Sequence, residues 1–249
     1  LFIAYMTPSE FWQNFKLGQE QEIAANFIYD GLKNLHDMRT LGMETEIFPV
    51  LYNLSIGLER LFKVAIVLLD FSDSMDVDKF EKGIKTHDHL RLLERIKKDP
   101  SFKIGPVHKE LLALLSVFYD KQRYDRFRLQ TLTTFSKDKQ AFLDFLHKHL
   151  GIDIKEESSI FYVENSPEIK AFIGKLVKEI VDQLYESIQK SAGVKNLSTY
   201  EISSAYSKAG KVLMGDKPII FEDEDIAMIE LLVFLMKTKD RSEEHTSEL

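Results

Sequence analysis

From Leu51 to Leu69 apolar residues recur at helical spacing so densely that only a central, enclosed helix can accommodate them. Leu51, Leu54, Ser55, Leu58, Leu61, Phe62, Ala65 and Leu69 fall on one face, and Val64, Ile66, Val67 and Leu68 make the other faces apolar as well. A helix that is apolar nearly all round leaves no face for water, so other elements must surround it. Pro49 is expected in its first turn or at a kink, because proline cannot donate to the preceding turn.

The rest of the chain supplies helices to do the wrapping. A capping box of Thr7 and Glu10 with Pro8 at the first helical position opens a helix running towards His36, with Phe11, Phe15, Ala24, Phe27, Ile28, Leu32 and Leu35 as expected core contacts. Ser72–Lys79 reads as an acidic loop, His87–Lys98 as a short helix stopped by Pro100, and Pro106 as the start of a helix extending towards Arg128. Leu129–Phe135 fits neither period. Ser136 is expected to cap a further helix ending at Gly151, and Ile160–Val163 to be an extended connection, since one isolated strand makes no sheet. Pro167–Ser191 reads as a helix closed near Gly193, Ser198–Glu201 as a second capping box, and Asp225–Lys237 as a last, largely buried helix.

These elements predict an all-α helical bundle in a single domain over residues 6–240, with a four- or five-helix core over about 7–130 and a helical extension over about 131–240. Arg241–Leu249 reads as translated sequencing-adapter DNA and Leu1–Tyr5 as upstream DNA read in frame, so both are set aside. The formal charge of −7 includes one Arg against three Glu in that tail, leaving −5 for the remainder; such a balance excludes a general nucleic-acid coat but not a local basic site. With 0 Cys, disulfide scaffolds, thiol nucleophiles and cysteine-ligated metals are excluded, which fits a reducing, cytoplasmic setting. The apolar stretch Ile226–Met236 is interrupted by Glu230 and falls short of the roughly 20 residues of a membrane span, so no membrane association is expected.

Charged residues on the central helix are the first candidates for function. Glu59, Arg60 and Lys63 interrupt its apolar surface and must find partners or bear a desolvation cost of several kcal/mol. Glu59 and Lys63 stand at i,i+4, and a structural ion-pair network that sets helix register would explain them equally well. Arg123–Arg128 mixes three arginines with Tyr124 and Phe127, a combination able to hold phosphate and stack bases; basic residues placed for the helix dipole are the blander reading. His87 and His89, like His147 and His149, are spaced i,i+2, whereas a helical metal pair needs i,i+4. The loop carboxylates Asp70, Asp73, Asp76 and Asp78 lack the glycine and terminal glutamate of a calcium loop, so no metal and no cofactor is assigned.

Three of these segments in order, Leu54–Lys63, His87–Leu90, and Leu111–Phe118 running into Arg123 and Tyr124, resemble the HEPN superfamily, specifically its plasmid- and phage-defence-associated branch, over about residues 9–130. The resemblance implies an all-α bundle, often a homodimer. It also implies either a metal-independent endoribonuclease of toxin–antitoxin and antiviral systems, or a catalytically silent module that binds RNA, a nucleotide, an antitoxin or another protein. The ribonuclease members carry an arginine followed by a histidine with four to six residues between them; here Tyr124–Leu132 follow Arg123 without a histidine. The expectation is therefore a non-catalytic module with Glu59, Lys63, His87, Asp88, Arg123 and Tyr124 gathered into one ligand site. The alternatives are an endoribonuclease in which His87 is displaced to act with Arg123, and a purely structural interaction protein.

Overall fold

The computed structural model describes residues 6–129, 137–152, 164–197, 199–204, 206–214, 221, 225–233 and 235–236. Both chain ends, the extended segment at 160–163, most of 129–135 and the caps at Ser136 and Ser198 lie outside them. The elements are α1 (Pro8–Phe11), a π-helical turn (Trp12–Lys16), α2 (Leu17–Asp37), α3 (Glu44–Asp70), α4 (Val77–Ile84), α5 (His89–Ile96), α6 (Pro106–Asp120), a 3-10 segment (Gln122–Phe127), α7 (Lys137–Leu150), α8 (Pro167–Val194), α9 (Tyr200–Ser203) and α10 (Lys208–Met214). No strand occurs among the described residues; Thr40 and Glu164 form an isolated bridge. The fold is an all-α bundle with additional C-terminal helices, and no described helix is long and apolar enough to cross a membrane.

Helix α3 occupies the centre, packing against α2, α5, α6, α7 and α8. Leu54, Leu58, Leu61, Phe62, Ala65 and Leu68 are all at most 1% exposed, as the apolar circumference requires. Pro49 stands inside the helix rather than in its first turn. Two glycines bring α2 and α3 into close contact: a Cβ at Gly57 would stand 2.9 Å from the Ile28 backbone nitrogen, and one at Gly31 would meet the Leu54 side chain at 2.8 Å.

The chain divides into two compact units, Leu1–Gly215 and Asp216–Leu249. In the first, Thr7 and Glu10 form the expected capping box, and the helix then passes through the π turn. The wider turn shifts the register of the preceding residues, so Gln13 and Asn14 are buried while the expected core residue Phe11 is 40% exposed. The acidic loop is shorter than expected, because Asp76 accepts from the Lys79 amide and starts α4. Helix α8 runs through Gly193 and closes one turn later at Asn196, whose φ of 53° is the left-handed stop; the Leu197 amide donates back to the Ala192 carbonyl. In the second unit, 225–233 and 235–236 are helical. Ile226, Ile229 and Leu232 are each more than half exposed, against the burial expected, since no other described helix of that unit covers them.

Distant side chains close several helix ends. Asn165 Nδ2 donates to the carbonyls of Leu35 (2.7 Å) and Met38 (2.9 Å) at the end of α2, and Lys170 Nζ donates to that of His36. Lys195 Nζ donates to the Phe71 carbonyl at the end of α3, and burial lowers its pKa below the ordinary lysine value.

Candidate functional site

One stripe of α3 borders a cavity between helices. Ile56, Glu59, Arg60, Lys63, Val64 and Val67 repeat at three- and four-residue steps and line a cavity of about 420 Å³. This explains why charges interrupt the most apolar helix in the chain: they sit on the face that borders the cavity. Trp12 of the π turn, Leu17 and Glu20 of α2, Ile84 and His87 from the α4–α5 region, and Tyr119 of α6 complete the walls.

Glu59 is the hub. The residue is 6% exposed, and both carboxylate oxygens are engaged: Oε1 accepts from Lys63 Nζ at 2.5 Å and Oε2 lies 2.8 Å from His87 Nδ1. An ionised carboxylate can only accept, so Nδ1 carries the proton and Nε2 is the basic nitrogen. The His87 side chain is half exposed, and Nε2 has no partner among the described residues. Arg60 is ion-paired with Glu20 through Nη1 and Oε2, leaving Glu20 Oε1 and the remaining guanidinium N–H groups for other partners.

Tyr119 joins this cluster to the arginine-rich segment. Its ring centroid lies 4.8 Å from that of His87, and the Arg123 guanidinium carbon stands 3.8 Å over the same ring. Arg123 also lies 4.7 Å from the Tyr124 ring, so two aromatic faces hold its guanidinium. Its Nε is buried without a hydrogen-bond partner, and no carboxylate pairs with it among the described residues. Tyr124 is 55% exposed and Phe127 beside it 85%.

Of the six residues predicted to converge, Lys63 and His87 both contact Glu59, Arg123 joins them through Tyr119, and Tyr124 stands against Arg123. Asp88 does not join them: its Oδ1 accepts from the amides of Leu90 and Arg91 and caps α5. The neighbouring His89, by contrast, is fully buried. Its Nε2–H donates to the Ser55 carbonyl (2.9 Å), and Nδ1 accepts from the Ser116 hydroxyl (3.0 Å), which itself accepts from the His89 amide. Burial lowers its pKa below 6.5, holding it neutral. The i,i+2 spacing thus separates one structural histidine from one open to the cavity.

Sequence reasoning missed Trp12, Glu20 and Tyr119 as site residues. Tyr119 stands four residues before Arg123, a spacing that pairs side chains along a helix, and was legible on that ground. Glu20 was not, because its partner Arg60 is 40 residues away. Among the described residues no group of three or more His, Cys, Asp or Glu is placed to hold a metal ion. Comparison of the chain with protein-family models, with curated proteins and with solved structures finds no match.

Proposed function

We propose that this chain is a HEPN-like, non-catalytic helical module that binds a nucleotide or the end of a single-stranded RNA at the cavity and its Tyr119–Arg123 rim. The observation that carries the reading is Arg123, a guanidinium stacked on Tyr119 and Tyr124 with a buried Nε and no carboxylate partner among the described residues. The terminal N–H groups of this guanidinium have no carboxylate partner among the described residues, so they can donate to an anionic ligand. Phosphate meets a planar donor fork there, and exposed Tyr124 and Phe127 offer faces for bases. A cavity of about 420 Å³ lies in the range of small-ligand pockets. The resemblance of Leu54–Lys63, His87–Leu90 and Leu111–Tyr124 to HEPN segments supports a cytoplasmic role in a defence or toxin–antitoxin setting.

The test is binding of a fluorescent five-nucleotide RNA, followed by anisotropy. Arg123→Ala is expected to weaken it about tenfold or more while the melting temperature changes little, since no carboxylate among the described residues is left unpaired by the change. Equal binding by the variant would overturn the reading.

The Glu59–His87 pair favours a second reading, an RNA-cleaving enzyme. Glu59 orients the ring, His87 Nε2 takes the 2′-hydroxyl proton, and Arg123, across Tyr119, binds the phosphate as the 2′-oxygen attacks phosphorus and the 5′-oxygen leaves, taking a proton from water. Cleavage of RNA in the presence of a chelator, lost in His87→Ala, would select this reading over the first.

A further inference from the structure

Building on the nucleotide reading above, we infer that the cavity is a guanine site, with the Glu20–Arg60 pair reading the base and Arg123 holding the phosphate outside. The charges at the cavity cancel. Glu20 and Glu59 oppose Arg60 and Lys63, and each cation already contacts a carboxylate. A phosphate placed inside would meet carboxylates as readily as cations, whereas Arg123 on the rim has no carboxylate partner among the described residues. The uncharged end of a nucleotide therefore goes in. Leu17, Ile56, Val64 and Val67 make the floor apolar, and Trp12 and Tyr119 supply aromatic rings at its walls.

The edge of the base is selected by what the two polar pairs leave free. Both oxygens of Glu59 already accept a hydrogen bond. The Glu20–Arg60 contact uses one lone pair of Glu20 Oε2 and one nitrogen, so both Glu20 oxygens can still accept and the remaining guanidinium N–H groups can still donate, on side chains 42% and 38% exposed. A ligand matching both must present neighbouring donors and neighbouring acceptors. Guanine does so with N1–H and N2–H₂ towards a carboxylate and O6 and N7 towards a guanidinium. Adenine and cytosine each offer a single donor group, and uracil a single N–H.

The sole tryptophan of the chain is Trp12, so its fluorescence reports directly on this cavity. The full chain would be titrated separately with guanosine, adenosine, cytidine and uridine monophosphates. Guanosine monophosphate should quench with an affinity at least about tenfold above the others, the effect of one bidentate contact. Glu20→Gln should remove the preference while leaving weak, base-independent binding; the fold should survive, because a half-exposed ion pair contributes little to stability. Equal affinity for all four would overturn the guanine inference and leave phosphate binding standing. Preference retained in Glu20→Gln would also overturn it, and absence of any binding would overturn the nucleotide reading together with it.

Discussion

The close approach of α2 and α3 can be tested by making one substitution, Gly→Ala, at two helical positions with different expected effects. At Gly57 the added Cβ would stand 2.7 Å from Ile28 Cγ1, 2.9 Å from the Ile28 nitrogen and 3.0 Å from the Ala24 carbonyl oxygen. Comfortable separations are about 3.5–4.0 Å, so several atoms must move by about half an ångström or more. A side chain can rotate, but the nitrogen and oxygen belong to the α2 backbone and yield only if the helix shifts. Overpacking of this kind costs about 1–3 kcal/mol, and alanine's better helix propensity returns about 1 kcal/mol. The net loss is about 0–2 kcal/mol. At Gly174, in the middle of α8, a Cβ meets nothing within 4 Å, so only the propensity gain of about 0.5–1 kcal/mol remains. Urea denaturation followed by circular dichroism measures both. In a chain of this size each kcal/mol moves the melting temperature by roughly 2–4 °C. A Gly57→Ala protein stabilised as much as Gly174→Ala would refute the packing described for α2 and α3.

Leu58→Ala removes a fully buried side chain from the central helix and is expected to cost about 2–5 kcal/mol in the same assay; a loss below about 1 kcal/mol would deny α3 its place at the centre. Asn165→Ala leaves the Leu35 and Met38 carbonyls without their donor and should cost about 1–3 kcal/mol, with hydrogen exchange rising first at the end of α2. His89 is held neutral with a lowered pKa, so below its unfolded value near 6.5 the unfolded chain binds the extra proton. Its stabilising contribution is therefore complete above that pH and is lost as pH falls towards the folded pKa, at a slope of up to about 1.4 kcal/mol per pH unit. His89→Gln should show a shallower fall between pH 7 and pH 5 than the parent in urea titrations, and parallel curves would contradict a buried neutral histidine.

Local pattern was enough to determine the all-α class, the central place of α3, the capping box at Thr7 and Glu10, and the close of α7 at Gly151, whose φ is 65°. Each depends on residues within one or two turns, where side-chain chemistry and helix geometry act alone. Pattern also showed that Glu59 and Lys63 needed partners, and their i,i+4 contact follows from spacing. Tertiary structure decided the remainder. Which face of α3 borders the cavity depended on how the surrounding helices packed. That packing brought His87 to Glu59 from 28 residues away and Arg60 to Glu20 from 40. The carbonyls ending α2 and α3 are met by Asn165, Lys170 and Lys195, more than 120 residues distant, so no local signal for those caps exists. The π turn at Trp12–Lys16 shifted a helical register that periodicity had placed by a uniform 3.6-residue turn. Periodicity names the residues that one helix presents together; which of those faces meets protein, and which meets a cavity, is set by the energy of packing several helices at once.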